Sequence, residues 1–322
     1  MTKIKTKTET TEPLPRLDSA ATRHLGLDSS DIAVLGNSSS PAMRRAFAEL
    51  PGWAAAVTRV NTVAAATREF WAAFPRHDLA AEVVAMADTG SCDVDRLRAM
   101  AEAAGVCTAT ASHATAAFEA ALRSTGDQLR SAADPDALRA SLHSQLLEVI
   151  EAVRKLPPST RALRTAEDAI AADDVAGWRE MDRLHRAYRD IRASASLINS
   201  KDTTLAGLSD PMAALIANPL EIWPGYAFDR SNVQMRDSHG RKAIIRPPWP
   251  HAHSELPGQR RDETDSVEFL VWLVSSEADP WVPSADQYAK ACAQVNAAVV
   301  KARSSDEAER AAVVESNGGA AA

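Results

Sequence analysis

Cysteine is scarce in this sequence, and its three copies lie far apart. Cys92, Cys107 and Cys292 form no Cys-x-x-Cys pair and are odd in number, which argues against a disulfide framework and a thiolate zinc site. The sequence also has no Gly-x-x-x-x-Gly-Lys-Ser/Thr run and no Gly-x-Gly-x-x-Gly run, so it lacks the common phosphate-binding loops of nucleotide-binding proteins. The Gly-x-Ser-x-Gly elbow of serine hydrolases does not occur either. We therefore expect no cofactor and assign no catalytic residue.

Long apolar runs are missing as well. The run at residues 269–274 is far too short to span a bilayer, and the first residues, Met-Thr-Lys-Ile-Lys-Thr-Lys, lack the apolar core of a signal peptide. The formal net charge is −7, from 36 Lys and Arg against 43 Asp and Glu, and it gives no global attraction to nucleic acid or anionic lipid. These features predict a cytoplasmic protein without a membrane partner, in which any basic site is local.

Alanine is abundant, with 64 of the 322 residues, and it has the strongest helix propensity. The clearest helical signal lies between Pro135 and Ile198, where Pro135 suits the first helical position and Pro157-Pro158 ends the first of two helices. On both helices, apolar residues recur every three or four positions and so share one stripe. The stripes consist of Leu138, Leu142, Leu146, Val149, Val153 and Leu156, and of Trp178, Met181, Leu184, Tyr188, Ile191, Ala195 and Ile198. Because each stripe needs a partner to bury it, the pattern predicts a helical bundle.

Shorter helices are predicted on the N-terminal side of this pair. One begins at Pro41 and stops at Pro51-Gly52, and the next has a heptad-like stripe from Trp53 to Phe74. Periodic segments over residues 78–88, 93–104 and 108–125 predict further helices. We expect Gly105 to cap the second of these and Gly126 to end the third.

The order of the segments predicts a mostly α-helical protein of four regions. Residues 1–40 are rich in Thr, Lys, Pro and Ser and should form a flexible tail with a short docking segment near its end. Residues 41–200 should form the helical bundle. Many prolines and four of the seven tryptophans fall between residues 219 and 283, which indicates a smaller α+β region over residues 201–315. Residues 316–322 should fray.

Within the smaller region, two segments have the pattern of a β-hairpin. Residues 233–237 and 241–246 flank Ser238-His239-Gly240, a turn sequence. Residues 267–274 are a further strand candidate because they are β-branched and aromatic, although Ser266 would also cap a helix. Ser284 and Gln287 have capping-box spacing, so we expect a C-terminal helix to begin there.

The Trp and Arg residues of this region indicate a protein-binding surface. Between residues 228 and 261, seven Lys and Arg stand against three Asp and Glu, with aromatic residues interleaved, and Arg and aromatic residues are enriched at interfaces. The main hypothesis is a non-enzymatic helical scaffold or oligomerisation protein that binds a protein partner, with self-association expected, as a component of a larger assembly. The residues predicted to contact the partner are Trp223, Tyr226, Arg241, Arg246 and Trp249.

Nucleic-acid binding is the alternative hypothesis. Ala101 and Gly105 have the spacing of a helix-turn-helix corner, and the helix after it would carry polar side chains for base edges. That helix has no Lys or Arg before Arg123, although phosphate contacts supply much of the affinity for nucleic acid. The residues assigned to this alternative are Thr110, His113 and Arg123 of the corner, and Arg241 and Arg246 of the local Arg strip.

A metal-dependent hydrolase is the third hypothesis. His251-Ala-His253 would place two imidazoles on one side of an extended segment, and His239, Asp262 and Glu263 could complete a metal shell. The pair follows a proline-rich stretch, residues 247–250, which is typical of a polyproline-like surface loop. Solvated loop histidines explain this pattern better, so we assign no metal ligand and keep His251 and His253 as weak candidates.

Overall fold

The computed structural model divides the chain into two compact units. The first consists of Met1–Ser38 and Leu50–Asp134, and the second of Ser39–Glu49 and Pro135–Ala322. The residues that the structure describes are 15–27, 31–74, 94–205, 208, 210, 212–222, 226, 234–236, 242–244 and 266–318. They are predominantly helical, which confirms the predicted mostly α-helical class. The predicted division near residue 200 falls inside the second unit.

Eleven α-helices follow one another along the described residues. They are α1 (Ser19–His24), α2 (Pro41–Glu49), α3 (Trp53–Ala73), α4 (Val94–Ala132), α5 (Pro135–Lys155), α6 (Pro158–Ala162), α7 (Ala166–Ala171), α8 (Val175–Lys201), α9 (Pro219–Ile222), α10 (Val267–Ser275) and α11 (Ala285–Gly318). Two 3-10 helices lie at Ile32–Asn37 and Thr203–Leu205. Of the helices that the structure describes, none is both long enough and apolar enough to cross a bilayer.

Residues 15–27 and 31–38 pack within the first unit, in a part of the chain where the sequence predicted a flexible tail with a short docking segment. The side chain of Asn37 accepts from the N–H of Leu17 at 2.9 Å and donates to its carbonyl at 3.1 Å. Asn61 of α3 accepts from the N–H of Asp18 at 2.9 Å, and the Asp18 carboxylate caps α1. The buried residues of this segment are Leu17, Ala21, Leu27, Ala33 and Leu35. The predicted docking segment, which was expected only near the end of residues 1–40, therefore begins as early as Leu17.

Helix α3 packs along α4 through the first part of its predicted stripe, whereas Trp71 near the end of that stripe is 36% exposed. The stripe residues that α3 buries are Trp53, Val57, Val60, Ala64 and Thr67, and α4 buries Leu122 and Leu129. Near the end of α3, the ring centroids of Phe70 and Phe118 lie 5.4 Å apart. Aromatic contact thus continues the apolar packing along the helix pair.

Helix α4 is continuous over 39 residues, which corrects the predicted stops at Gly105 and Gly126. Neither glycine has the positive φ of a helix-ending residue. Glycine inside a helix costs about 1 kcal/mol relative to alanine, and the alanines on either side favour the helix strongly enough to offset that cost. The hydroxyls of Thr108, Thr115 and Thr125 donate to carbonyls four residues earlier, so the helix satisfies them internally.

The core of the second unit is formed by α2, α5 and α8. The two predicted stripes are buried except at Leu156 and Trp178, which are half-buried. The buried members are Leu138, Leu142, Leu146, Val149 and Val153 of α5 and Met181, Leu184, Tyr188, Ile191, Ala195 and Ile198 of α8. Helix α2 is bound to both of them. Arg45 forms a bidentate pair with Glu148 of α5 at 2.7 Å, and the N–H of Ala42 donates to Asp190 of α8 at 2.8 Å.

Residues 267–274 belong to a helix, α10, rather than to a strand. Ser266 accepts from the N–H of Phe269 at 3.1 Å and so caps the first turn, which was the other possibility that the sequence left open. Phe269, Leu270 and Leu273 are buried, and α10 packs on α5 and α8. The cap and the buried helical face outweigh the β propensity of its valines.

Two short strands lie in the proline-rich region of the second unit. β1 (Gln234–Arg236) and β2 (Lys242–Ile244) pair antiparallel, with Met235 opposite Ala243. The residues that would join them, 237–241, lie outside the described residues. The β-hairpin over residues 233–246 therefore stays a prediction.

Candidate functional site

A buried arginine lies where three segments of the second unit meet. Arg192 of α8 is 9% exposed, and its Nη1 and Nη2 donate to the carbonyls of Trp281 at 2.7 Å and Leu215 at 3.0 Å. Its Cζ lies 5.2 Å from the ring centroid of Tyr188, in cation–π contact. We call residues 210–217 and 279–282, which meet at Arg192, the junction.

The two segments of the junction also bond directly to each other. The backbone N–H of Trp281 donates to the carbonyl of Leu215 at 3.2 Å, and its indole Nε1 donates to the carbonyl of Ala213 at 3.0 Å. The N–H of Ala217 donates to the carbonyl of Asp279 at 2.8 Å. These bonds fix the backbone on both sides of the proline-rich region.

Asp210 links the junction to α11 and to Tyr226. Its Oδ1 accepts from the hydroxyl of Tyr226 at 2.8 Å and from the N–H groups of Met212 and Ala213. The hydroxyl of Tyr288 on α11 donates to the Asp210 carbonyl at 3.2 Å and accepts from its N–H at 3.0 Å. Burial raises the pKa of Tyr288 to about 12, so this hydroxyl keeps its proton at neutral pH.

Tyr226 is a buried anchor, which corrects its predicted role as an exposed contact for a partner. Its side chain is fully buried, and its hydroxyl donates a hydrogen bond to Asp210. Tyrosine has an apolar ring and a polar tip, so it suits a hydrogen-bonded core position as well as an interface. The sequence could not distinguish these two roles because Asp210 lies 16 residues away along the chain.

A second buried arginine, Arg139 of α5, connects the end of α8 to the start of α11. Arg139 is 1% exposed, and its Nη1 and Nη2 pair with Asp136 and Asp202, each at 2.7 Å. Its Nε donates to Asn199 at 3.0 Å. Asp136 also accepts from the N–H of Ala285 in the first turn of α11. Charge and hydrogen bonding are therefore both satisfied around Arg139.

His143 of α5 holds the last residue of the junction. Its Nδ1 accepts from the N–H of Val282 at 3.2 Å. Burial lowers the pKa of His143; the charge of Asp279 raises it and that of Arg192 lowers it, and the net shift is downward. A neutral imidazole can accept a hydrogen bond at Nδ1, so His143 has a structural role here.

A partly open cavity of about 430 Å³ lies against Arg192. Its polar lining consists of Ser196, Asn199, Ser200 and Tyr288 in addition to Arg192, and its apolar lining of Ala195, Leu205, Leu208, Ala214 and Leu215. The Nε of Arg192 is buried and has no hydrogen-bond partner in the part of the chain that the structure describes. The cavity therefore combines one cation, several hydroxyl and amide groups, and an apolar wall.

Most of the other predicted site residues lie outside the described residues. Trp223, Arg241, Arg246 and Trp249 are in this group, and so are the metal candidates His251 and His253. Within the described ranges, no group of three or more His, Cys, Asp or Glu is arranged to hold a metal ion.

The predicted helix-turn-helix corner does not form within residues 94–132. Thr110, His113 and Arg123 are exposed, as a contact to nucleic acid would require. They lie, however, on the single helix α4, with Gly105 inside it. Without a turn at Gly105, no second helix is set at an angle for insertion into a groove, so this part of the alternative hypothesis is wrong.

No family model, no curated protein and no solved structure matches this chain.

The burial of Arg192 and Arg139 was not predicted, although the spacing of both residues contained a signal. Arg192 lies four residues after Tyr188 and three before Ala195, and Arg139 lies three residues before Leu142. Both positions fall on the apolar stripe of their helix. An arginine on such a stripe predicts a buried guanidinium with partners elsewhere in the chain. The local sequence cannot identify those partners.

Proposed function

We propose that this chain is a non-enzymatic helical scaffold that associates with a second copy of itself through the basic segment, which we define as residues 228–261. The contact residues in or beside this segment are Trp223, Arg241, Arg246 and Trp249. In this proposal, tryptophan side chains are buried at the interface and arginines form ion pairs around them.

The observation that supports this proposal is that the second unit anchors the chain on both sides of the basic segment. Before it, Tyr226 is buried and bonded to Asp210 at 2.8 Å. After it, α10 buries Phe269 and Leu273 in contact with α5 and α8. Fixing both ends reduces the conformational entropy that a segment loses on binding, and this favours a binding role for the residues between them.

Charge favours a second copy of the chain as the partner. The seven Lys and Arg and three Asp and Glu of the basic segment give it a formal net charge of +4. Because the whole chain has −7, the remaining residues together have −11. A second copy thus offers acidic surface to a basic segment, and opposite charges favour association. We propose that β1 and β2 form the predicted hairpin, with Arg241 before β2 and Arg246 after it.

Light scattering behind size exclusion tests this proposal. We expect the full chain to form a defined multimer that dissociates as salt is added, because salt screens ion pairs. Trp249→Ala should weaken the association by about tenfold or more, the typical effect of removing an aromatic hot spot. Its helical circular dichroism should stay unchanged.

The double variant Arg241→Ala/Arg246→Ala should weaken the association as well. Its matched control is Arg154→Ala, since Arg154 is an exposed arginine on α5 with 52% of its side chain accessible, and this variant should associate like the wild type. A chain that is monomeric at every concentration would contradict the proposal. Loss of helical signal in Trp249→Ala would show that Trp249 belongs to the core.

The alternative of nucleic-acid binding now depends on the basic segment alone. It predicts that the purified protein retains nucleic acid, visible in its ultraviolet absorbance ratio, and that binding falls steeply with salt. Loss of that nucleic acid in Arg241→Ala/Arg246→Ala, with retention in Arg154→Ala, would favour this alternative over self-association.

A further inference from the structure

Among the residues that the structure describes, Arg192 is a buried charge without an ion-pair partner. An arginine stays protonated at physiological pH, and burying a charge is unfavourable unless the charge is paired and hydrogen-bonded. Among the described residues, no Asp or Glu forms an ion pair with Arg192. The carbonyls of Leu215 and Trp281 and the ring of Tyr188 hold the guanidinium in place, but these groups are neutral.

Arg139 is a buried arginine of the same unit whose charge is paired and whose Nε has a hydrogen-bond acceptor, so it serves as a comparison for Arg192. It is 1% exposed, pairs with Asp136 and Asp202 at 2.7 Å, and donates from Nε to Asn199. Arg192 is 9% exposed, has no carboxylate partner in the described chain, and leaves its Nε unused. Arg192 thus keeps a buried charge that no carboxylate of the described chain balances.

The unused donors of Arg192 suit one carboxylate. A guanidinium has five N–H groups, and the two carbonyl bonds leave three of them, including Nε–H, without a protein acceptor in the described chain. A carboxylate in the cavity would accept from the remaining N–H groups of Nη1 and Nη2, since Nε itself is enclosed by the protein. Such a pair would balance the buried charge of Arg192.

The cavity against Arg192 indicates what is attached to that carboxylate. Its volume of about 430 Å³ is within the range of small-molecule sites. Leu205, Leu208 and Leu215 provide an apolar wall, and Ser196 and Ser200 provide hydroxyl groups. One cation beside an apolar wall fits a monoanion with an apolar body, since a polyphosphate requires several cations or a row of backbone donors.

We propose that this cavity binds a small organic monocarboxylate, with the carboxylate on Arg192 and the apolar body against Leu205, Leu208 and Leu215. The site lies wholly within the second unit and does not depend on self-association through the basic segment.

Isothermal titration calorimetry of the full chain with benzoate tests the proposal, with benzamide and phenyl phosphate as comparison probes. We expect saturable benzoate binding at one site per chain. Benzamide has the same shape without the charge and should bind about tenfold more weakly or not at all, because a charge-assisted pair is stronger than a neutral one. Absent benzoate binding, or equal binding of benzamide, would overturn the proposal. Tighter binding of phenyl phosphate would overturn its assignment to a carboxylate.

Two variants on helix α8 test whether Arg192 binds the carboxylate. Arg192→Met should reduce benzoate affinity by about tenfold or more, whereas Arg179→Met, an exposed arginine on the same helix α8, should bind like the wild type. Benzoate binding that survives Arg192→Met would overturn the assignment.

A second variant covers the case in which Arg192→Met does not fold. Ala214→Leu narrows the cavity and leaves Arg192 and its two carbonyl acceptors in place. It should weaken benzoate binding while the protein keeps its helical circular dichroism. Unchanged affinity in this variant would show that the ligand does not occupy the cavity.

Discussion

Gly36 sets how closely a 3-10 helix approaches α3 in the first unit. A Cβ at Gly36 would overlap the indole of Trp53, which is 2% exposed. We expect Gly36→Ala to lower the free energy of unfolding by about 2 kcal/mol, because a buried ring can give way only by disturbing its neighbours. Urea unfolding measures this. Wild-type stability in Gly36→Ala would mean that the indole has free space beside it.

Asp202 makes the second unit sensitive to acid. Burial alone would raise its pKa, but hydrogen bonds from Thr204 and Arg139 outweigh burial and lower the pKa below its ordinary value of 3.8. A carboxyl whose pKa is lower in the folded state stabilises the fold fully above its unfolded pKa. That contribution is lost as the pH falls from about 4 through the folded pKa.

Asp202→Asn should therefore destabilise the protein at neutral pH by about 2 kcal/mol, since breaking a buried pair is costly while Asp136 still balances Arg139. It should also weaken the fall in stability below about pH 4. Thermal unfolding as a function of pH measures both effects. Asp95→Asn is the control, because Asp95 is exposed and its pair with Arg98 is 3.4 Å long. Identical pH profiles in wild type and Asp202→Asn would contradict this account.

At the scale of elements, Gly105 distinguishes a continuous α4 from two helices with a turn between them. In the structure, a Cβ at Gly105 would meet open space, and the residue lies in the interior of a helix of 39 residues. Gly105→Ala should therefore raise the free energy of unfolding by about 1 kcal/mol. In a turn with positive φ, the same change would be destabilising. Chemical unfolding of the variant distinguishes the two cases. A loss of stability would support the predicted helix-turn-helix corner at Gly105 instead of a continuous α4.

The boundaries of elements show where local sequence is sufficient. Helices α2 and α5 begin at Pro41 and Pro135 as predicted, and α5 ends two residues before the Pro157-Pro158 pair. Proline is a reliable guide because it acts through its own ring and missing N–H. Glycine was a poorer guide in α4. A glycine ends a helix when it adopts a positive φ, and the two glycines of α4 keep helical φ values among alanines that favour the helix.

At the scale of the whole molecule, the periodicity predicted which faces are buried but not what buries them. The stripes of α5 and α8 were evident from spacing. The spacing gave no indication that α2 packs on them, since Leu50–Asp134 of the first unit lies between α2 and α5 in the chain. The same limit applies to the candidate ligand site. Arg192 lies on a stripe that the sequence shows, whereas its acceptors, Leu215 and Trp281, are 23 and 89 residues further along the chain.

The separation of α2 from its partners has a consequence for synthesis on the ribosome. The partner of Arg45, Glu148, is synthesised 103 residues later, and the partner of Ala42, Asp190, is synthesised 148 residues later. At about 5–20 residues per second, α2 emerges on the order of ten seconds before the second of these partners. By the end of that interval both segments of the first unit, Met1–Ser38 and Leu50–Asp134, have left the ribosome, with α2 between them in the chain. The apolar faces of α2 and α5 that pack on α8 are thus exposed to chaperones until α8 leaves the exit tunnel.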